Sequence, residues 1–331
     1  MGADMRRREF ITLIGGLAAW PLAARAQQPA MPVVGFINAA AAQSYKQQLT
    51  AFLKGLEEAG YVDGKNVMIE YRWAEEQNDR LPAMAADLVR RQVAVIAATS
   101  SPAALAAKAA TTAIPIIFET GVDPIKIGLV ANLARPGGNV TGVTQSNVEM
   151  APKRLQSLRE LLPAARVIAL LVNPALTLPS AEAVTGEVST AASTLGLELQ
   201  VLNVTSESDI KAAFAKAVQI GAGGMVAASS AHFVGQIEHL AGLALQHAMP
   251  TIYQFRRFAA AGGLVSYGSE ITEAYRLAGI YTGRVLKGDK PADLPVQQAT
   301  KVELVINLRT AKALGITVPN TLIGRADEVI E

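Results

Sequence analysis

Hydroxyls, amides and carboxylates in this chain gather just after short apolar runs rich in Val and Ile. Thr99-Ser100-Ser101-Pro102 follows one such run and opens a helical stretch through Ala103. Its hydroxyls and free backbone N–H groups meet at a helix start, with Pro102 preset for the first turn, a combination able to hold a carboxylate. Ser229 and Ser230 offer the same groups after a later run; both serine pairs also read as N-caps, a compatible role. Glu119 and Asp123 can meet a ligand ammonium, while Asp123, just before Pro124, reads equally as a helix cap. Asn38 and Ser44, Thr120, the loop from Thr144 and Gln145 to Asn147, and the stretch Asn173, Pro174 and Ala175 hold equivalent positions. Tyr253, Phe255 and Tyr267 stand at strand ends, where a ring either stacks on a planar ligand or fills the core.

None of these groups forms a reactive constellation. His232, His239 and His247 are the only histidines and fall on one predicted helix, two turns apart, too far to share a metal; a solvated face is expected. Ser230 lies near His232 in sequence, but no Gly-x-Ser-x-Gly elbow surrounds it. Gly221-Ala222-Gly223-Gly224 precedes a strand rather than following one, so it reads as a turn and not a phosphate loop. Cysteine is absent, which excludes thiolate catalysis, disulfides and a lipidated N-terminal Cys. The expectation is binding without chemistry, with no cofactor and no metal.

The elements that must carry these residues alternate between apolar runs and amphipathic helical stretches, the pattern of a parallel sheet with helices on both faces. The alternation occurs twice. Strands over Val33 to Asn38, Val67 to Trp73, Val93 to Ala98, the Ile114-Pro115-Ile116-Ile117 run and Val140 to Thr144 make the first pass. Strands over Val167 to Asn173, Leu197 to Val204, Gly224 to Ala228, the Met249-Pro250-Thr251-Ile252 run and Leu264 to Tyr267 make the second. Helices over Ser44 to Ala59 and Ser180 to Thr194 are stopped by Gly60 and Gly196, and the pairs Ser100-Ser101 and Ser229-Ser230 recur in order. The fold class is therefore α/β, with two Rossmann-like, doubly wound parallel-sheet lobes. Ligands of such sheets lie beyond the carboxyl ends of the strands, so two facing lobes would share one cleft.

The first lobe is expected over residues 31–145 with 270–290 returning to it, and the second over 146–268 with part of 291–331. A helix from Thr272 to Lys287, a linker Lys290 to Pro295, a strand Gln297 to Val302 and a short helix Asn307 to Leu314 make up the tail. A tail of that length suggests that the chain crosses between lobes again, giving a multi-strand hinge.

Half of the 331 residues are apolar, enough for two folded cores. Residues 1–26 read as an export signal: Arg6-Arg7-Arg8, then Phe10-Ile11, an apolar run from Leu13 to Leu22, and the small-x-small pattern Ala24-Arg25-Ala26. The Arg-Arg-x-Phe-Ile order resembles a twin-arginine signal. Cleavage removes Arg6, Arg7, Arg8 and Arg25 with Asp4 and Glu9, so the net charge of +2 falls to zero. No basic run follows, and no nucleic-acid partner is expected. The expected product is periplasmic, free of a lipid anchor, and a monomer or weak dimer.

Several stretches resemble the ABC-transporter substrate-binding family that includes tryptophan-binding members: Val34-Gly35-Phe36-Ile37, Gly60-Tyr61-Val62-Asp63-Gly64-Lys65-Asn66-Val67, Ile69-Glu70-Tyr71-Arg72, Arg135-Pro136-Gly137-Gly138-Asn139-Val140-Thr141-Gly142, and Ala311-Lys312-Ala313-Leu314-Gly315. The resemblance runs from about Pro32 to the end of the chain. It implies a type I periplasmic-binding-protein fold that closes on a small solute (an amino acid, an aromatic or another carboxylate) and delivers it to ABC permease and ATPase subunits at the inner membrane. It also implies that Ser100, Ser101, Pro102 and Ala103 hold a carboxylate, with Asp123, Asn173, Pro174, Ser229 and Ser230 around it. A ligand-sensing module that feeds a signalling receptor is the alternative reading.

Overall fold

A computed structural model describes residues 31–145, 150–174, 178–299 and 302–331, so the predicted export signal lies outside the described residues. The first sheet is built from β1 (Val33–Asn38), β2 (Met68–Trp73), β3 (Val95–Ala98), β4 (Ile116–Thr120), β5 (Val140–Thr144) and, much later, β11 (Gln297–Gln298). All its pairings are parallel, in the order β11-β5-β4-β3-β1-β2. The second sheet holds β6 (Val167–Val172), β7 (Glu198–Asn203), β8 (Gly224–Ala227), β9 (Thr251–Tyr253), β10 (Val265–Ser269), β12 (Val302–Asn307) and β13 (Glu328–Ile330). Its order is β13-β12-β10-β9-β8-β6-β7, parallel except for the β10–β12 pair.

Burial explains why these runs become strands. β3, β4, β5, β8 and β9 are buried at every residue, as strands covered on both faces must be. The edge strand β7 has no buried residue. Helix ends follow local chemistry. Gly60 and Gly196 take positive φ, 92° and 65°, where helices α1 (Lys46–Glu58) and α5 (Leu178–Thr194) stop. Helix α6 (Glu207–Gln219) opens on a full capping box between Ser206 and Asp209.

Between the sheets the chain passes three times: after β5, between β10 and helix α10 (Ile271–Leu286), and between β11 and β12. Helix α10 lies on α1 of the first lobe with almost nothing between the two backbones. A Cβ on Gly55 would sit 1.9 Å from Arg276 O, and one on Gly279 would sit 2.0 Å from Phe52 O. Only glycine permits that approach.

Two expectations about the tail need correction. The run read as a single strand from Gln297 to Val302 is two strands in different sheets, because the chain leaves the first sheet after Gln298 and joins the second at Val302. Asn307 ends β12 and caps helix α11 (Leu308–Ala313) instead of lying inside it: its Oδ1 accepts from Thr310 N at 3.0 Å. Among the described residues no helix is long and apolar enough to cross a membrane.

Candidate functional site

Strand ends of both sheets meet in one cleft that is partly open to solvent. Helix α3 (Ser101–Ala110) points its start into this cleft, with Thr99, Ser100, Ser101 and Pro102 on the wall. Glu119 at the end of β4, Gly121, Val122 and Gln145 complete the first-lobe side, with Tyr45 from the first loop. The second lobe supplies Ser229, Ser230, Gln254, Phe255 and Val234 of the short helix α7 (Ala231–Gly235), and α10 adds Ile271 and Tyr275.

Of the residues expected from sequence, Ser100, Ser101, Pro102, Gln145, Ser229 and Ser230 line the cavity. Others brace its wall. Asn38 donates through Nδ2 to Thr99 O at 2.7 Å, Thr99 Oγ1 at 2.9 Å and Tyr275 OH at 3.0 Å, while its Oδ1 accepts from Ala40 N. Thr120 Oγ1 lies 2.5 Å from Ser101 Oγ and accepts from Val122 N, and Thr144 Oγ1 donates to Val122 O. These bonds fix the Gly121–Val122 turn against α3.

The remaining candidates lie elsewhere. Ala103 is packed in the core of the first lobe. Asp123 Oδ1 accepts from Ile125 N and Lys126 N, so it serves as the turn cap. Tyr253 is fully buried, edge-on to Phe255 and Phe258, and Tyr267 packs on the core of the second lobe. Asn173 and Pro174 follow β6 without lining the cavity. Ser146, Asn147 and Ala175 lie outside the described residues. Ser44 faces Gly235 of the other lobe: a Cβ on Gly235 would lie 3.1 Å from Ser44 Oγ and 3.6 Å from its Cβ.

The histidine reading is corrected twice. The stretch is two helices, α7 and α8 (Ile237–Gln246), broken at Gln236 where φ is −112° and ψ 18°. His232 is not on a solvated face, because its Nδ1 lies 2.6 Å from Glu76 Oε2 of the first lobe. His247 stacks on Phe214 with its Nε2 buried. Tyr45, Val234, Ile271 and Tyr275 were not legible as lining residues. Tyr275 in particular reaches the cleft from a helix that the sequence shows only as amphipathic.

Three features set the electrostatics. Neither Ser100 nor Ser230, the N-cap residues of α3 and α7, makes a capping bond through its side chain. Ser230 Oγ and Gln254 Oε1 are buried without a hydrogen-bond partner among the described residues. Glu119 is buried, and burial pushes its pKa up to about 8, against the opposing pull of the hydrogen bond donated by Gln145 Nε2. Burial also raises the phenols of Tyr45 and Tyr275 well above their usual range, so both stay neutral. Among the described residues no group of His, Cys, Asp and Glu side chains could hold a metal ion.

Two parallel-sheet lobes with their strand ends facing across a cleft, joined by three crossovers, define the type I periplasmic-binding-protein fold. The chain belongs to the ABC transporter substrate-binding protein family, whose model matches residues 33–330. It is 28% identical over 264 residues to a tyrosine-binding protein from Clostridioides difficile, covering 80% of this chain and 75% of that one. A conserved domain protein from Vibrio cholerae superposes with a TM-score of 0.82 at 25% identity, covering 90% of this chain and 99% of the other. An ABC domain from Streptococcus pneumonia in complex with L-Trp superposes with a TM-score of 0.81 at 25% identity, covering 91% of this chain and 100% of the other.

Proposed function

We propose that this protein is the extracytoplasmic solute-binding component of an ABC importer and that it closes its two lobes on a small organic solute in the interlobe cleft. The observation that carries the reading is the set of buried polar groups left without partners there, Ser230 Oγ and Gln254 Oε1. Buried polar atoms are normally satisfied, and an unpaired one in a cleft wall is accounted for by a guest that pairs with it. The start of α3 suits a carboxylate, while Tyr45, Phe255 and Tyr275 supply rings for a planar side chain. Relatives that bind tyrosine and L-Trp support an aromatic amino acid as the solute.

Closure works through differential affinity. Contacts that form only when both walls meet stabilise the closed state, which permease subunits at the inner membrane then recognise. The residues before Gln27 would direct export and be removed.

A thermal-shift screen of the protein from Gln27 onward against amino acids, aromatic acids and short carboxylates tests the reading, since a ligand of the folded form alone raises the melting temperature. A shift with an aromatic amino acid is expected, and Ser101→Pro, which removes one N–H from the α3 start, should reduce it without unfolding the lobe. No shift with any solute of these classes would refute the assignment.

A further inference from the structure

Hydrogen-bond donors and acceptors in the cleft are unevenly matched. Gln254 Oε1 is a carbonyl oxygen, able only to accept, and it is buried with nothing to accept from, since the amide nitrogen is turned toward Tyr253 OH. Ser230 Oγ on the same wall is also unpartnered. Opposite them stands Glu119, 4% exposed, whose one hydrogen-bond donor among the described residues is the Gln145 amide. A carboxylate brings no donor to such a set, whereas an ammonium brings three.

We infer that Glu119 takes the ammonium group of the solute and gives up its own proton to solvent as it does so, which makes capture selective for amine-bearing solutes and coupled to proton release. The inference rests on the solute-binding reading above and specifies its chemistry. The groups around Glu119 leave it uncharged. Tyr45 from the first loop and Tyr275 from α10 are neutral phenols near enough to feel a charge on it, and Gln145 from the crossover is a neutral amide. The cavity wall from the second lobe is Ser229, Ser230, Val234, Gln254 and Phe255, none of them charged. Glu76 and Tyr253 act on Tyr45, and both would oppose rather than favour a negative charge there. No Lys, Arg or His side chain pairs with Glu119 among the described residues. An ionised carboxylate buried without a cation is strongly disfavoured, so the acid holds its proton until the solute supplies the cation. The balance is then a carboxylic acid and an ammonium going to an ion pair and one free proton.

The size of the effect follows from where the group titrates. With its pKa pushed up to about 8, Glu119 is mostly protonated at pH 7, so binding an ammonium should release most of one proton there. Affinity should rise with pH, by about tenfold per unit on the acid side of 7, and level off above 8. The ammonium of a free amino acid stays protonated over this range.

The test is calorimetry at pH 6, 7 and 8 in two buffers of different ionisation heat, with L-tyrosine, L-tryptophan and their amine-free analogues 3-(4-hydroxyphenyl)propionate and indole-3-propionate. Proton release with the amino acids, far weaker binding of the analogues, and loss of the pH slope in Glu119→Gln are expected. Binding of amino acids that is flat with pH in the unaltered protein, or release that persists in Glu119→Gln, overturns the inference while leaving the solute-binding reading intact. So does equal binding of the analogues. Binding of none of the four removes the proposed solute class and the inference with it. Infrared spectra of the solute-free protein give a check independent of any ligand: at neutral pH a protonated-carboxyl band should be present and should vanish in Glu119→Gln, and its absence from the unaltered protein also overturns the inference.

Discussion

His232 Nδ1 and Glu76 Oε2 stand 2.6 Å apart across the cleft, one on a helix of the second lobe and the other on a loop of the first. Glu76 is held for this contact with φ of 63°, a conformation that non-glycine residues seldom adopt, and its neighbour Glu75 shares it at 52°. The pair forms only when the lobes meet, so it stabilises the closed state and not the separate lobes. A partly exposed pair of this kind contributes about 1 kcal/mol. His232→Ala and Glu76→Gln should each speed solute release by about three- to tenfold with little change in association rate, which stopped-flow fluorescence would measure. An unchanged release rate in both variants would show that the contact carries no closure energy.

Ser230 offers a separation of folding from binding. Its hydroxyl is buried and unsatisfied among the described residues, so removing it relieves a desolvated group. Ser230→Ala should therefore leave urea stability unchanged or slightly raised while weakening solute binding by about five- to tenfold, the loss of one hydrogen bond. Equal affinity by calorimetry would take Ser230 out of the site.

Much of this architecture is legible in the sequence because the central strands are buried on both faces and so appear as unbroken Val- and Ile-rich runs. Val33–Asn38 and Val140–Thr144 are bounded as read, and the serines that follow β3 and β8 do face one another across the cleft. What escapes a local reading is whatever depends on the crossovers. Tyr275 bonds Asn38 from 237 positions away, and no pattern near either residue announces the contact. The strand at Val302–Asn307 is hidden for a related reason: it belongs to a different sheet from Gln297–Gln298, although only three residues separate them. His232 looks like a surface residue until its partner in the other lobe is placed beside it.

The crossing of α10 over α1 makes its own demand on sequence. A methyl at position 279 would meet the Phe52 carbonyl and the Leu56 backbone nitrogen, neither of which can move aside without bending α1. Gly279→Ala should destabilise the first lobe by about 3 kcal/mol or more, as overpacking against rigid backbone does, and lower the denaturation midpoint accordingly. Gly186→Ala is the control, because a Cβ there meets nothing within 4 Å. It should be neutral or slightly stabilising.

Glu119 links stability to pH. Its pKa is raised on folding from 4.5 to about 8, so the folded state binds the proton more tightly and the contribution is fully present below pH 4.5. It is lost as pH rises toward about 8. The solute-free protein should thus unfold at progressively lower temperature between pH 5 and 8 in calorimetric scans, and Glu119→Gln should flatten that slope. The carboxylates of Asp209 and Glu328, held below their usual range by hydrogen bonds, act in the opposite sense and only in more acidic solution. A slope unaffected by the substitution would assign the titration to another group.

Because the chain contains no cysteine, one engineered bridge can test whether the two lobes shut on the solute. Ser44 Cβ lies 3.6 Å from the Cβ position of Gly235, within disulfide range, so Ser44→Cys with Gly235→Cys should cross-link the closed state. Oxidation with radiolabelled L-tyrosine or L-tryptophan bound should trap the solute through gel filtration until a reductant frees it, and oxidation of the empty protein should block uptake. Exchange of label at the same rate in oxidised and reduced protein would contradict closure around the solute.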